Sequence, residues 1–348
     1  MHSVDFLIIG QGLAGSLLAF ELLQREKTVM VIDNSHSGAA TKVAAGLINP
    51  VTGHRLNITN NFYQYQKAAI PFYRRLEETL GVKIYQELNQ TRLIKNQGQF
   101  DYLQKRLQEN QYEPILSNHT NTGGWFNHQE KHPYGAINVD QTATVNAPLL
   151  LSTVKNWLIS KNSLTTEKFQ YDLLQSIGDS IGYQDIRAGS VVFCEGFQAM
   201  HNPWLSHLPF KTAKGEILTV QTKNCELDRM LSWGHWLVPQ EKGTAKLGAN
   251  YLWNDLSLTT NDVTAQDFLN SLKKHTGIQA NVVKHEAGIR PSTTQRNPFV
   301  GKLSKLPNAY CFNGLGAKGC LLAPHFTKLL ADHILFDSPI SEEFTRWL

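Results

Sequence analysis

Residues 6–15 read FLIIGQGLAG, which sets Gly10, Gly12 and Gly15 in G-x-G-x-x-G spacing. That spacing has a chemistry. The first glycine permits a tight turn, the second lets a pyrophosphate approach the backbone, and the third lets a helix pack on a strand. Asp33 follows 21 residues after Gly12, near the place where an acid accepts a hydrogen bond from a ribose hydroxyl. A second glycine turn, GLGAKG, puts Gly314, Gly316 and Gly319 directly before an apolar segment near the end of the chain. A helix starting there offers free N–H groups and the positive end of its dipole to a polar or anionic group. The first turn, with its acid, points to a dinucleotide site. It does not choose between NAD and FAD.

The elements needed to hold the first turn are present. VDFLII is an apolar run of strand length, SLLAFELLQRE has helical spacing, and TVMVID is a second buried strand ending in Asp33. An export signal also begins with an apolar run like Phe6–Leu23. However, Asp5 stands where a signal carries positive charge, Glu21 interrupts the run, and no small-residue cleavage site follows. Further along, NNFYQYQKAAIPFYRRLEETLGV, FDYLQKRLQEN and TAQDFLNSLKKHTG read as helices, and another helix starts near Asn146–Pro148. RAGSVVFCEGF is a second buried strand running into Gly196, some 180 residues after the first turn. KGEILTVQ and HWLVPQEKGTAKLGANYLW alternate with period two and read as antiparallel strands, with Tyr251 expected in the core. The segment NSHSGAATKVAAGLINPVTGHRL is too rich in small residues for a plain helix or strand. It suggests backbone held close to something flat.

The bulk numbers narrow the function classes. With 348 residues, 41% hydrophobic and 18% charged, the chain has the make-up of an ordinary globular protein of about two domains. A net charge of +4 is too small to argue for nucleic acid. The four cysteines form no C-x-x-C pair and no His cluster stands at zinc spacing. The expectation is therefore no metal, reduced thiols and a cytoplasmic setting, with no membrane span.

The glycine turn with Asp33, then AAGLINP, VVFCEG, KGEIL, the LVP and LGAN strands, GIRPSTTQRNPFVG and FNGLGAKGCLLAP occur in this order over essentially the whole chain. Together they resemble the FAD-dependent D-amino-acid oxidase family, which includes glycine oxidase, sarcosine oxidase and the D-amino-acid dehydrogenases. The resemblance implies FAD, and an α/β fold: a Rossmann-like FAD-binding domain with an inserted α+β substrate domain on a mainly antiparallel sheet. The FAD domain would comprise 1–82, 137–212 and 286–348, and the substrate domain 83–136 and 213–285.

The resemblance also implies a site. Gly10, Gly12, Leu13, Ala14 and Gly15 would hold the phosphates and Asp33 the ribose. Thr41, Ala44, Ala45, Gly46 and Leu47 would run past the flavin, with Gly196, Gly314, Gly316, Ala317, Lys318 and Gly319 completing the cofactor site. Arg290, in GIRP, matches the arginine that holds substrate carboxylate in glycine oxidase; a guanidinium fork suits a carboxylate. Lys318 matches a carboxylate-binding lysine of sarcosine oxidase, while Ala317 stands where the glycine-oxidase pattern has arginine. Arg55, beside His54, matches arginines near the flavin, and Trp236 matches an aromatic pocket wall. No cysteine stands in the RPST segment, so the FAD is expected to be non-covalent, with Cys311 and Cys320 as structural thiols.

The implied reaction oxidises a small amine bearing a carboxylate. Hydride passes to flavin N5, and the resulting imine hydrolyses. The electron acceptor would be oxygen or a carrier. Two alternatives remain: a tRNA-modification oxidase acting on a carboxymethylaminomethyl group, or a non-catalytic FAD-binding protein.

Overall fold

The computed structural model describes residues 2–120, 134–223 and 225–348. Two large sheets organise it. The first runs Leu164–Thr165, Val29–Ile32, His2–Ile9, Ile186–Phe193, Ser180–Tyr183 and Leu174–Ile177; Ala309–Asn313 pairs with Ile186–Phe193 and carries Phe299–Lys302. His2–Ile9 is parallel to Val29–Ile32 on one side and to Ile186–Phe193 on the other, in register from His2 opposite Ile186 to Ile9 opposite Phe193. Its apolar run has the sequence of a strand covered on both faces. Phe6 and Ile8 join a core with Leu17, Phe20 and Phe326 from the helices Leu13–Gln24 and Gly319–Phe336. Leu7 and Ile9 join the opposite core with Phe169, Tyr183 and Leu205.

The second sheet runs Gln279–Arg290, Ala213–Lys223, Thr244–Gly248, Trp236–Pro239, Met230–Ser232, Gln90–Leu93, Ala136–Val139 and Leu116–Thr120. It is antiparallel except where Met230–Ser232 runs parallel to Gln90–Leu93. The alternating stretches predicted as antiparallel strands lie here.

The expected boundaries at 136/137 and 285/286 fall inside two strands of this sheet, Ala136–Val139 and Gln279–Arg290. We propose that the two-part division holds with those boundaries moved past Val139 and Arg290, because cutting a strand would orphan its ladder bonds. Residues 121–133, within the expected 83–136 segment, lie outside the described residues.

The predicted helices form at Phe62–Leu80, Gln97–Arg106, Ala147–Ser160 and Asp262–Thr276. Their ends have local causes. The Asn146 side chain accepts from Leu149 N, with Pro148 in the first turn; Asn261 accepts from Val263 N, and Gly277 closes that helix with φ +72°. The basic helix is shorter than FDYLQKRLQEN suggested at its far end, where Asn110–Tyr112 tightens into a 3₁₀ turn. The small-residue segment after Asp33 becomes the short helix Ala40–Val43 and short strands at Leu47–Ile48 and Val51–Thr52.

Buried Glu77 ties the long helix Phe62–Leu80 to the chain just beyond its C-terminus: its Oε1 accepts from Ile84 N and Tyr85 N, both at 2.7 Å. Glu77→Ala leaves two buried N–H groups unpaired. It should lower unfolding free energy by about 2–4 kcal/mol, read as an earlier midpoint in urea unfolding; an unchanged midpoint would contradict this role.

Candidate functional site

The strands His2–Ile9, Val29–Ile32 and Ile186–Phe193 end at one edge of the first sheet. Between that edge and one face of the second sheet lies a cavity of about 1290 Å³. Of the residues expected in the site, Gly10, Gly12, Leu13, Ala14, Asp33, Thr41, Ala44, Ala45, Gly46, Leu47, Gly196, Trp236, Arg290, Gly316, Ala317, Lys318 and Gly319 line this cavity. Gly15, Gly314 and Arg55 do not. Gly15 lies behind the turn, where a Cβ would stand 1.9 Å from Gly10 O. Its role is the close packing of helix on turn. Gly314 turns the chain after Ala309–Asn313 with φ +79°. Arg55 corrects an expectation: it is exposed, 6.0 Å from the Tyr102 ring, and its neighbour His54 lines the cavity instead. In the irregular turn at 53–56 nothing periodic in sequence says which side chain faces inward.

The glycine-turn end of the cavity suits an anion. The helix Leu13–Gln24 starts at Gly12 with no side-chain cap, so its first-turn N–H groups have neither an intrahelical partner nor a cap. The helix Gly319–Phe336 also starts without a side-chain cap and opens onto the cavity. Asp33 accepts from Gln11 N (2.8 Å) and Ser35 N (2.6 Å), so its carboxylate braces the turn itself. Two acids that sequence reasoning missed border this end. Glu195 accepts from Tyr171 Oη at 2.6 Å and Asn202 Nδ2 at 2.7 Å, and burial pushes its carboxyl up to about 7. The only signal was a charge closing an otherwise apolar strand. The other is Glu167.

Cations dominate the second-sheet face. The half-buried Arg290 donates from Nη1 to Asn250 O (3.1 Å) and lies 4.1 Å from the Tyr251 ring centroid. Space for it comes from Gly215 on the adjacent strand, where a Cβ would stand 2.1 Å from Nη2. Burial lowers its pKa. Lys318 donates to Thr59 Oγ1 at 3.0 Å, and burial, then Arg296, lowers its pKa. Tyr251 corrects the second expectation: it is 51% exposed, stacks on Trp253 and covers Arg290 rather than joining the core. The strand Thr244–Gly248 ends before it, so the period-two pattern does not reach it. Buried Lys214 holds the segment beyond it, donating to Asp255 Oδ2 (2.7 Å) and Thr259 O. A third cation, Arg92, was also missed. It is half-buried on Gln90–Leu93, donates to Gly53 O at 2.6 Å, and is drawn down to about 10 by burial. Among the described residues, none of Arg92, Arg290 and Lys318 forms an ion pair with a carboxylate.

A family model for FAD-dependent oxidoreductases matches residues 5–333. The chain belongs to that family. It is 23% identical to the glycine oxidase of Bacillus subtilis over 361 residues, covering 95% of this chain and 93% of that protein. Among solved structures, the glycine oxidase of Geobacillus kaustophilus superposes with a TM-score of 0.82 at 18% identity, covering 99% and 98% of the two chains. The iminodiacetate oxidase of Chelativorans sp. BNC1 gives 0.78 at 19% identity, covering 98% of each. These likenesses carry the mixed α/β fold. No helix among the described residues is long and apolar enough to cross a membrane.

An FAD-dependent oxidoreductase needs a site for a long anionic cofactor. The cavity's volume, the uncapped helix start and the glycine turn fit that need. Gly15→Val would force the turn off this geometry. Its Kd for FAD should rise by about tenfold or more, read by flavin fluorescence quenching; wild-type affinity would show that Gly15 does not set the turn.

Proposed function

We propose that this flavoenzyme oxidises the C–N bond of a small amino acid or N-substituted amino acid whose carboxylate binds Arg290. The carrying observation is Arg290 itself: a half-buried guanidinium facing the cavity, with no carboxylate partner among the described residues. A buried cation without an anion is costly, and a substrate carboxylate would satisfy it through two parallel N–H bonds. The names of the two oxidases compared above both denote carboxylate-bearing amines, which supports the reading.

Each residue has a positioning task. Asn250 O and the Tyr251 ring fix the Arg290 fork, and Gly215 leaves it room. Trp236 walls the same face, and Lys318 presents a second positive charge from the glycine turn Gly314–Gly319. Leu13 and Ala14 offer backbone N–H groups to the cofactor phosphates, beside Asp33. Bound FAD supplies the two-electron acceptor. The protein contributes orientation and a cationic, partly desolvated surround that holds the substrate's C–H and C–N bonds in one place. The oxidised product is an imine, which water hydrolyses.

FAD binding is non-covalent in this reading. Cys194 and Cys320 border the cavity, both are buried, and burial raises both thiols, Cys320 to about 12, so neither presents a thiolate. Acid precipitation should release all flavin to the supernatant; yellow colour in the washed pellet would contradict this.

The function is tested by adding glycine, sarcosine, D-alanine and iminodiacetate anaerobically to the FAD-loaded protein. At least one should bleach the flavin. Arg290→Met should lower the efficiency of that reduction about 100- to 1000-fold, the cost of stranding a charged partner, with Arg290→Lys intermediate. Bleaching by none, or full activity in Arg290→Met, would overturn the proposal.

A further inference from the structure

The cavity's acids are gathered at one end, where Lys42, Lys155 and Lys168 stand among them. Its lining acids are Asp33, Glu167 and Glu195, and all three border the first sheet. The second-sheet face presents Arg92, Lys95 and Arg290, with Lys318 opposite, and among the described residues no Asp or Glu lines the cavity there. One substrate carboxylate does not balance this set, and the cations are not gathered round one point. Arg290 is on the edge strand Gln279–Arg290, whereas Arg92 is on Gln90–Leu93, the sixth strand across. At ~4.8 Å per strand those backbones stand roughly 24 Å apart along the sheet. A single carboxylate cannot touch both, even with both side chains turned inward.

Lys318 is tied to the Arg92 side of the cavity through a string of side chains. It bonds Thr59, whose hydroxyl reaches Asn49 O at 3.5 Å; Asn49 Nδ2 donates to Gln90 (2.7 Å), and Gln90 Nε2 to Ser232 Oγ (2.6 Å). Ser232 is the cross-strand partner of Arg92 and of Trp236. The two cations therefore flank one polar string, on the far side of Trp236 from Arg290. Arg92 has five N–H donors, and one of them meets Gly53 O.

We infer that the substrate is an amine with two acidic groups, one received by Arg290 and the other by Arg92 with Lys318. The inference deepens the amine-oxidation reading and rests on it for the placement of the first carboxylate. The amine nitrogen then lies between the two acids, beneath Trp236. Arg92 acts as a specificity-determining residue.

The test begins with binding, so that it does not depend on turnover. Straight-chain dicarboxylates of increasing length are titrated into the FAD-loaded protein beside the monocarboxylates of equal length, following the flavin spectrum. The best dicarboxylate should bind about 10- to 100-fold more tightly than its monocarboxylate. Arg92→Met should cut that ratio about tenfold, and Arg92→Lys should keep most of it. Equal affinities for both acids, or an Arg92→Met variant that weakens both equally, would overturn the inference and leave Arg92 as a brace for Gly53. Turnover is scored separately with sarcosine against iminodiacetate. Selective dicarboxylate binding without flavin reduction by any amine would sustain the second subsite and sink amine oxidation. Reduction by sarcosine with no dicarboxylate preference would do the reverse.

Discussion

The parallel ladder between His2–Ile9 and Ile186–Phe193 is the interaction on which the site depends. It joins segments more than 170 residues apart and ends them together, so Gly10 emerges beside Cys194, two residues before Gly196. The contact is close: a Cβ on Gly10 would stand 2.6 Å from Cys194 O. Ala309–Asn313 then pairs parallel to the same strand and delivers the late glycine turn, with Lys318, to the same edge. Three separate stretches of chain meet there because each ends a buried strand. Burial of those apolar runs on both faces is what makes the register costly to change.

The second sheet supplies the opposing constraint, which is electrostatic. Its cavity face holds arginines in a partly desolvated place where a charge without a partner is expensive. Arg290 is held by two backbone carbonyls, Asn250 O and Lys214 O, and an aromatic face, none of which neutralises it. The rest of the face is built to permit this. Gly215 gives up a side chain so that the guanidinium can lie across its strand, and Lys214, from the same strand, reaches the segment that follows Tyr251. Stability is thus spent locally to keep a positive surface open to an anion.

Much of this was legible in sequence, for a physical reason. Glycine turns, caps and buried strands are local, and each declares itself within a dozen residues. The turn at Gly10–Gly15, the helix opened by Asn146 and the strand into Gly196 all follow from such signals. The family resemblance added the discontinuous order and pointed to Arg290 and Lys318, which no periodicity would have singled out. What stayed hidden depends on partners distant in sequence. Gly215 matters only because Arg290, 75 residues later, lies across it. Arg92 matters because Gly53 and the Ser232 strand bring it to the cavity. Arg55 and Tyr251 were misplaced because both stand just outside regular elements, where neither a helical nor a strand period says which way a side chain faces.

The most direct measurement is a crystal structure of the FAD-loaded protein with a non-reacting carboxylate ligand. The account predicts the pyrophosphate on the Leu13–Ala14 N–H groups, the flavin ring between the second-sheet face and the start of helix Gly319–Phe336, and a ligand carboxylate paired with Arg290. A flavin elsewhere in the cavity, or a carboxylate that ignores Arg290, would contradict it.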